Sequence, residues 1–150
     1  MIKKIIKWKN NGFKVGIANG CFDLLHKGHL YLLKKSKSKC DKLIVLLNSD
    51  SSVKKIKGKN RPIENQTIRR KKLMYNKYID GVIIFNEVTP LKKIKEIKPD
   101  FIFKGSDYKK KEVIGYNFIK KYDGKVILIS LLKKYSTSSI LKKNVKKNNR

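Results

Sequence analysis

The sequence predicts a single α/β domain built on an open, doubly wound, parallel sheet of five strands. Three observations predict it. The chain has 150 residues, the length of one ordinary domain. Its apolar residues come in short blocks of strand length, bounded by glycine, proline or polar residues. These blocks alternate with segments of helical spacing, and connections of that length join parallel strands.

The first third of the chain shows the pattern most clearly. Residues 14–18 form a short buried strand that contains Val15 and Ile17 and lies between two glycines. From Gly28, leucines lie among lysines at spacings that suit a helix with one apolar face. Residues 41–47 are almost continuously apolar, as expected of a parallel strand covered on both faces. This third therefore reads as strand, helix, strand.

The rest of the chain continues the alternation. Thr89 and Pro90 predict a helix start, with Thr89 as the N-cap and Pro90 at the first helical position. The other expected elements are, in order, a polar loop with at most one helical turn (48–60), a helix (64–78), strands (80–85 and 101–103), a polar loop (104–111), a weak helix (112–121), a strand (125–130) and a short helix (136–143).

Composition bounds the class of protein. We expect residues 1–143 to form the domain and the basic residues 144–150 to be a disordered tail. The chain has no apolar run long enough to span a bilayer and no secretory signal at its start, so we expect a cytoplasmic protein without a membrane partner. Cys21 and Cys40 have no ligand-like spacing, which indicates reduced thiols rather than a disulfide or a zinc site.

The formal net charge of +28 has two interpretations. A dense positive field attracts polyanions, so a basic nucleic-acid-binding module is one candidate. However, the lysines are spread over the whole chain without a basic stripe, as a compositional bias of the genome would produce. We therefore favour the compositional explanation and expect no specific nucleic-acid partner.

Ligands of doubly wound sheets bind beyond the carboxyl ends of the strands, near the point where the strand order switches. The loops after strands one, two, four and five carry polar residues suited to such a site. These candidates are Asn19, Gly20, Phe22, Asp23, His26, Gly28 and His29 after strand one; Asn48, Asp50 and Lys57 after strand two; Lys104, Gly105 and Asp107 after strand four; and Ser136, Thr137, Ser138 and Ser139 after strand five.

The two histidines carry the strongest signal. His26 and His29 are three residues apart at the expected start of a helix, and Gly28 between them leaves room for close approach to the backbone. Imidazole N–H groups beside a helix N-terminus suit a phosphate. Zinc is the alternative, but helical zinc ligands are usually four residues apart and no third ligand is evident nearby. We therefore assign no metal ligands to the protein.

The hydroxyl cluster that starts at Ser136 is either a simple helix cap or a site for the outer phosphates of a nucleotide. Beside the histidine pair, the phosphate interpretation is the stronger one. Lys57 and Lys104 are each followed by glycine and could neutralise phosphate charge, although in a chain this rich in lysine a solvated side chain is the commoner role.

In combination, these motifs resemble the cytidylyltransferase-like nucleotidyltransferases, and within them most closely the adenylyltransferases that make ADP-heptose from D-glycero-β-D-manno-heptose 1-phosphate and ATP. The resemblance spans about residues 14–141. It rests on ANGCFDLLHKGH (18–29), NSD (48–50), KGKNRP (57–62), Arg69, VTP (88–90), KGSDY (104–108) and STSSI (136–140).

The resemblance implies a Rossmann-like domain, a cytoplasmic enzyme of lipopolysaccharide or related glycan synthesis, and transfer of AMP to a sugar 1-phosphate with release of pyrophosphate. His26, His29 and Lys57 would be catalytic. Lys57 and Arg61 would contact the sugar phosphate, and Mg²⁺ would accompany the ATP. The nucleotide would be bound by Asn19, Gly20, Phe22, Asp23, Gly28, Asn48, Asp50, Arg69, Lys104, Gly105, Asp107, Ser136, Thr137 and Ser138. We also expect a homo-oligomer, most simply a dimer.

Two departures from the family pattern bear on the substrate. Ser106 replaces the second glycine of KGGDY, so the backbone there would approach the nucleotide less closely. Cytidylyltransferases for glycerol-, ribitol- or ethanolamine-type phosphates are the alternative within the family. They usually have Arg-Thr-x-x-Ile before the serine cluster, whereas residues 133–135 are Lys-Lys-Tyr here, which favours the adenylyl branch.

Overall fold

The computed structural model describes residues 1–131. Five parallel strands form one sheet in the order β3-β2-β1-β4-β5, which confirms the predicted doubly wound α/β domain. The elements are α1 (Ile2–Asn10), β1 (Val15–Gly20), α2 (Lys27–Lys37), β2 (Lys42–Asn48), α3 (Asp50–Lys57), α4 (Gln66–Met74), β3 (Gly81–Phe85), α5 (Leu91–Ile97), β4 (Phe101–Gly105), α6 (Tyr116–Ile119) and β5 (Lys125–Ile129), with 3₁₀ turns at Lys110–Glu112 and Lys120–Tyr122.

The sheet separates two apolar cores because successive side chains of a strand point to opposite faces. In β2, Ile44 and Leu46 pack with side chains of α1, α5 and α6. Leu43, Val45 and Leu47 pack on the other face with α2 and α4. Burial on both faces explains why β2 reads as a continuous apolar run.

The strand order places the switch point between β1 and β4. From β1 the chain adds β2 and β3 on one side, and it then returns to add β4 and β5 on the other. Because all the strands are parallel, their carboxyl ends meet at one edge of the sheet. The loops after β1 and β4 therefore open a crevice at that edge, the usual place for a ligand in such sheets.

Several local predictions were wrong. The segment expected to be a loop with at most one helical turn contains the eight-residue helix α3, because Ser49 caps it and Val53 is buried beneath it. Pro90 rather than Thr89 is the N-cap of α5, and no side chain makes a cap hydrogen bond there. The helix expected over 112–121 is mostly short turns, with one α-helical segment of four residues.

Two further helices differ from expectation, and two predictions concern residues that the structure does not describe. Helix α4 is shorter than the expected 64–78. Helix α1 was not predicted from its mixed basic and apolar sequence, although Ile5 is fully buried. The helix expected over 136–143 and the tail lie outside the described residues. Within residues 1–131, no helix has the length and apolar character needed to cross a membrane.

Candidate functional site

A cleft of about 400 Å³ opens over the switch point between β1 and β4. Loops from β1 and β4, the start of α2 and the end of α3 line it. It brings together eleven of the residues predicted from the sequence, namely Asn19, Gly20, Phe22, Asp23, His26, Gly28, His29, Lys57, Lys104, Gly105 and Asp107. We call it the larger cleft.

The two histidines cap the start of α2 reciprocally. His26 is the N-cap, and its Nδ1 accepts a hydrogen bond from the amide of Gly28 at 3.1 Å. The Nδ1 of His29 accepts from the amide of His26 at 3.3 Å. This is the arrangement of a capping box, with histidines in the positions where Ser or Thr and Glu or Gln are usual.

The caps fix the tautomers of both rings. A nitrogen that accepts from an amide carries no proton, so each neutral imidazole holds its proton on Nε2. The rings stack with their centroids 3.8 Å apart. Within residues 1–131 neither Nε2 has a hydrogen-bond partner, and both residues line the larger cleft. The pair thus presents two N–H donors side by side.

Burial keeps these donors neutral. It lowers the pKa of His26 below its ordinary value. The pKa of His29 falls to about 4, chiefly through burial and also through the nearby positive charges of His26 and Lys57. At neutral pH the pair therefore donates hydrogen bonds to a ligand without carrying charge of its own.

Positive charge comes from two lysines instead. Lys57, at the end of α3, and Lys104, in β4, both line the larger cleft, and neither forms an ion pair within residues 1–131. Lys104 is partly buried, and its ammonium donates to the carbonyl of Asn19 at 3.0 Å and lies 4.9 Å from the Tyr108 ring centroid. Burial lowers the pKa of Lys104. An anion in the cleft would compensate both charges.

The carboxylate of Asp23 lines the cleft but is bonded within the protein. It accepts from Arg61 and from the backbone amides of Ile63 and Glu64. Burial alone would raise the pKa of Asp23, but the two amides and Arg61 outweigh it and lower the pKa. Asp23 and Arg61 therefore hold the loop after β1 against residues 61–64.

Arg69 and Asp50, which the resemblance predicts as nucleotide contacts, do not line the larger cleft. The side chain of Arg69 has no exposed surface, and it donates to the carbonyls of Cys21, Asn48 and Glu64. Its remaining nitrogen contacts Asp50 at 2.7 Å. Arg69 thus connects the loops after β1 and β2 through buried hydrogen bonds. We infer that its role is to position these two loops.

A side chain at Gly105 would crowd the loop after β4. A Cβ atom at this position would lie 2.5 Å from a carboxylate oxygen of Asp107 and 2.7 Å from Leu131. The glycine therefore lets Asp107 fold back over the end of the strand.

A smaller cleft of about 270 Å³ adjoins the larger one. Asn48 lines it, together with residues that the sequence did not single out as ligand contacts, among them Ile56, Val88, Glu112 and Ile114. Val88, Thr89 and Pro90 of the loop after β3 line it as well, although the sequence pointed only to the loops after strands one, two, four and five. The available signal was the VTP motif, which we interpreted as a helix start.

The remaining predictions concern metals and the serine cluster. Within the described part of the chain, no three His, Cys, Asp or Glu side chains are grouped so as to hold a metal ion. Ser136, Thr137 and Ser138 lie outside the described residues.

Comparison with known proteins identifies the family of the chain. The Cytidylyltransferase-like family model matches residues 17–143. The chain is 42% identical over 140 residues to the Bifunctional protein HldE of Rhodopseudomonas palustris (strain BisB5), covering 93% of this chain and 29% of the relative. It is 44% identical over 137 residues to the protein of that name from Paramagnetospirillum magneticum, with 91% and 28% coverage. The chain thus spans less than a third of the length of these relatives.

A solved structure is similar over its whole length. The lipopolysaccharide core biosynthesis protein from Thermoplasma volcanium superposes with a TM-score of 0.66 and 32% sequence identity, covering 83% of this chain and 100% of that one. With the histidine pair at the start of α2 and the cleft at the sheet's switch point, these matches show that the chain belongs to the cytidylyltransferase-like family of nucleotidyltransferases.

Proposed function

We propose that this chain transfers the AMP group of ATP to a sugar 1-phosphate, D-glycero-β-D-manno-heptose 1-phosphate, to give ADP-heptose and pyrophosphate for lipopolysaccharide or related glycan synthesis. The observation that carries the proposal is the larger cleft, where two neutral Nε2–H donors converge with two lysines that form no ion pair in the described part of the chain. The relatives named HldE and the lipopolysaccharide core biosynthesis protein support the choice of pathway.

The site suits this reaction because negative charge spreads over the phosphoryl oxygens in the transition state. An oxygen of the sugar phosphate forms a bond to the α-phosphorus, and the bond from that phosphorus to the β-bridging oxygen breaks. Its electron pair leaves with pyrophosphate. Prearranged donors stabilise such charge without reorganising, and the caps of His26 and His29 hold their rings in place.

Mg²⁺ is proposed as part of the nucleotide substrate. When bound to the phosphates it would neutralise their charge and polarise the oxygens. The protein's own contribution is to position the phosphates with histidine and lysine donors.

Pyrophosphate release tests the proposal directly. The purified chain is incubated with Mg²⁺, heptose 1-phosphate and either ATP or CTP. We expect release with ATP and little with CTP. A preference for CTP would instead favour a cytidylyltransferase for a glycerol-, ribitol- or ethanolamine-type phosphate, and no release with either nucleotide would refute the assignment.

The variant His26→Asn sharpens the test. Asparagine is a good N-cap, so it should preserve the start of α2 while removing the imidazole donor. We expect turnover to fall by about 10²- to 10³-fold, the effect of losing one donor to a developing charge, with an unchanged circular dichroism spectrum. If the +28 charge marks a nucleic-acid-binding module, binding to nucleic acid would be tight, steeply salt-dependent and insensitive to this variant.

A further inference from the structure

Ser52 lies in α3 and has no exposed surface. Its hydroxyl donates to the backbone carbonyl of Glu87 at 2.6 Å and accepts from the Nδ2 of Asn48 at 2.9 Å. Asn48 and residues 88–90, which follow Glu87, line the smaller cleft, whereas Ser52 does not. Ser52 therefore lies behind the wall of this cleft and contacts two separate parts of it.

The single proton of the Ser52 hydroxyl decides which way the Asn48 amide points. A serine hydroxyl can donate one hydrogen bond and accept two. Its proton is used on the carbonyl of Glu87, because a carbonyl can only accept. The hydroxyl can then only accept from Asn48, so the N–H₂ end of that amide must face Ser52. The other end of the amide, the Oδ1 of Asn48, is left for the cleft.

Asn48 is also held through its backbone. Its carbonyl accepts from the guanidinium of Arg69 at 2.8 Å, and the residue is only 4% exposed, so its side chain has little room to turn. Within residues 1–131 the Oδ1 of Asn48 has no hydrogen-bond partner. An acceptor in such a confined place is costly without a donor. A group on a bound ligand can supply that donor.

Resting on the proposed function, we propose that Ser52 is a positioning residue for it. Ser52 fixes the amide of Asn48 so that its Oδ1 accepts a hydrogen bond from a hydroxyl group of a bound substrate. An amide oxygen accepts from hydroxyls but cannot bond to ionised phosphate oxygens, which are acceptors themselves. ATP carries hydroxyls on its ribose and the sugar phosphate carries them on its ring, and the measurements below distinguish these two sources.

Ser52 has a second effect that the experiment must separate. The amide of Ser49 donates to the carbonyl of Phe85 at 2.9 Å, and together with the bond from Ser52 to Glu87 this holds the loop after β3 against the start of α3. Loss of the Ser52 hydroxyl would therefore free this loop as well as the amide of Asn48. Only the effect on Asn48 belongs to the proposal.

A double-mutant cycle of Ser52→Ala and Asn48→Ala separates the two effects. The matched control is Ser36→Ala in α2. Ser36 also has no exposed surface, its hydroxyl also donates to a backbone carbonyl, that of Leu32 at 2.8 Å, and it lines neither cleft. Circular dichroism checks the fold of each variant.

Two constants are measured for each protein: the Kd of Mg²⁺-ATP by calorimetry, and the KM for heptose 1-phosphate at saturating ATP. We expect Ser52→Ala to raise one of them roughly five- to tenfold, the effect of about one hydrogen bond. The constant that rises identifies the substrate whose hydroxyl is bound. Asn48→Ala should raise the same constant by at least as much, and Ser36→Ala should change neither.

The cycle decides whether Ser52 acts through Asn48. In the Asn48→Ala background we expect Ser52→Ala to add less than about twofold, because the oxygen that it positions is already absent. Equal effects of Ser52→Ala in both backgrounds would assign its role to the loop after β3 and overturn the proposal. A lower Tm of Ser52→Ala with both constants unchanged would also overturn it, since Ser52 would then only support the fold.

A measurement on the wild-type protein does not depend on how well the variants fold. In the ¹⁵N-labelled chain, we expect the side-chain N–H₂ of Asn48 to exchange with solvent more slowly than that of the exposed Asn117. Equal exchange rates would overturn the orientation of the amide.

Failure of the proposed function is recognised separately. A wild-type chain that binds ATP but releases no pyrophosphate with heptose 1-phosphate refutes the choice of reaction. The Kd of ATP then remains as the test of Ser52, and an equal Kd in the wild type and in Ser52→Ala would overturn the positioning role as well.

Discussion

The Nε of Arg61 donates to a carboxylate oxygen of Asp23 at 2.7 Å, although the two residues are 38 positions apart in the chain. The same carboxylate accepts from the amides of Ile63 and Glu64 at 2.9 to 3.1 Å. Asp23 belongs to the loop after β1, which carries the histidines, whereas Arg61 follows α3, which ends at Lys57. One buried carboxylate therefore fixes the distance between the two halves of the cleft.

The substitution Asp23→Asn should destabilise the protein and reduce turnover. It removes the negative charge opposite Arg61. It also replaces one acceptor oxygen by an amide N–H₂, which cannot accept from the donors that surround Asp23. Breaking one partner of a buried charged pair costs about 3 kcal/mol or more. We expect the free energy of unfolding, measured in urea, to fall by that order, and turnover to fall with it because Lys57 is no longer held opposite the histidines.

Asp123→Asn is the matched control. Asp123 is exposed, has left-handed backbone that asparagine also tolerates, and makes no ion pair within residues 1–131. The free energy of unfolding of this variant should differ from that of the wild type by no more than about 0.5 kcal/mol. Equal effects of the two substitutions would mean that the Asp23 contacts contribute little.

Arg69→Lys should be strongly disruptive although the charge is kept. A lysine cannot reproduce the planar fork that reaches the carbonyls of Cys21 and Asn48 together with Asp50. Buried carbonyls left without donors cost about 1 to 3 kcal/mol each. We expect an unfolding free energy lower by at least about 2 kcal/mol, measured in urea.

The neighbouring Arg70→Lys is an exposed control that makes the same chemical change. The pair of variants also separates a positioning role from direct contact with the nucleotide. A variant Arg69→Lys with wild-type stability but much weaker ATP binding would show that Arg69 contacts the nucleotide, contrary to its place beneath the loops.

The cleft residues could be predicted from the sequence because topology gathers them. Once the short apolar blocks are assigned to parallel strands, the polar residues that follow them must meet at one edge, whatever the details of the loops. This is why residues as distant as His26 and Lys104 were correctly expected in one cleft.

The contacts of Arg69 could not be predicted in the same way. Which of 39 basic residues is buried depends on how α4 packs against the loops, and the local sequence of that helix does not encode its partners. The helix α3 was missed for a related reason. Its sequence is polar, and only Ser52 and Val53 on its inner side are buried.

The stability of the protein should depend on His29 at acidic pH. The pKa of this residue is 6.5 in an ordinary environment and about 4 in the folded protein. Between these values the unfolded chain binds the proton and the folded chain does not, so stability rises with pH across this window and is lost on acidification. A difference of this size corresponds to on the order of 3 kcal/mol between pH above 7 and pH below 4.

Urea unfolding of the wild type and of His29→Gln at several pH values measures this contribution. His26, whose pKa burial also lowers from its ordinary value of 6.5, titrates in this window too, but it is present in both proteins. The difference between the two curves should therefore be flat above pH 7 and should shrink as the pH falls toward 4. Parallel curves would show that His29 is readily protonated in the folded state.

Lys104→Met should stabilise the folded protein and reduce its ATP binding and its turnover. The ammonium of Lys104 is partly buried and makes no ion pair with any residue from 1 to 131, and burial lowers its pKa, so the folded protein bears a desolvation cost when no anion is bound. Methionine fills a similar volume without that cost, and it gives up the hydrogen bond to Asn19. Replacing poorly compensated buried charge by an apolar side chain gains about 1 kcal/mol or more.

We therefore expect a higher free energy of unfolding in urea, together with weaker ATP binding and slower pyrophosphate release. Lys39→Met, at an exposed lysine whose side chain makes no hydrogen bond or ion pair within residues 1–131, should change none of these. If Lys104→Met raises the free energy of unfolding but lowers turnover, the charge of Lys104 serves a ligand. Replacing a lysine that only supported the fold would lower both quantities.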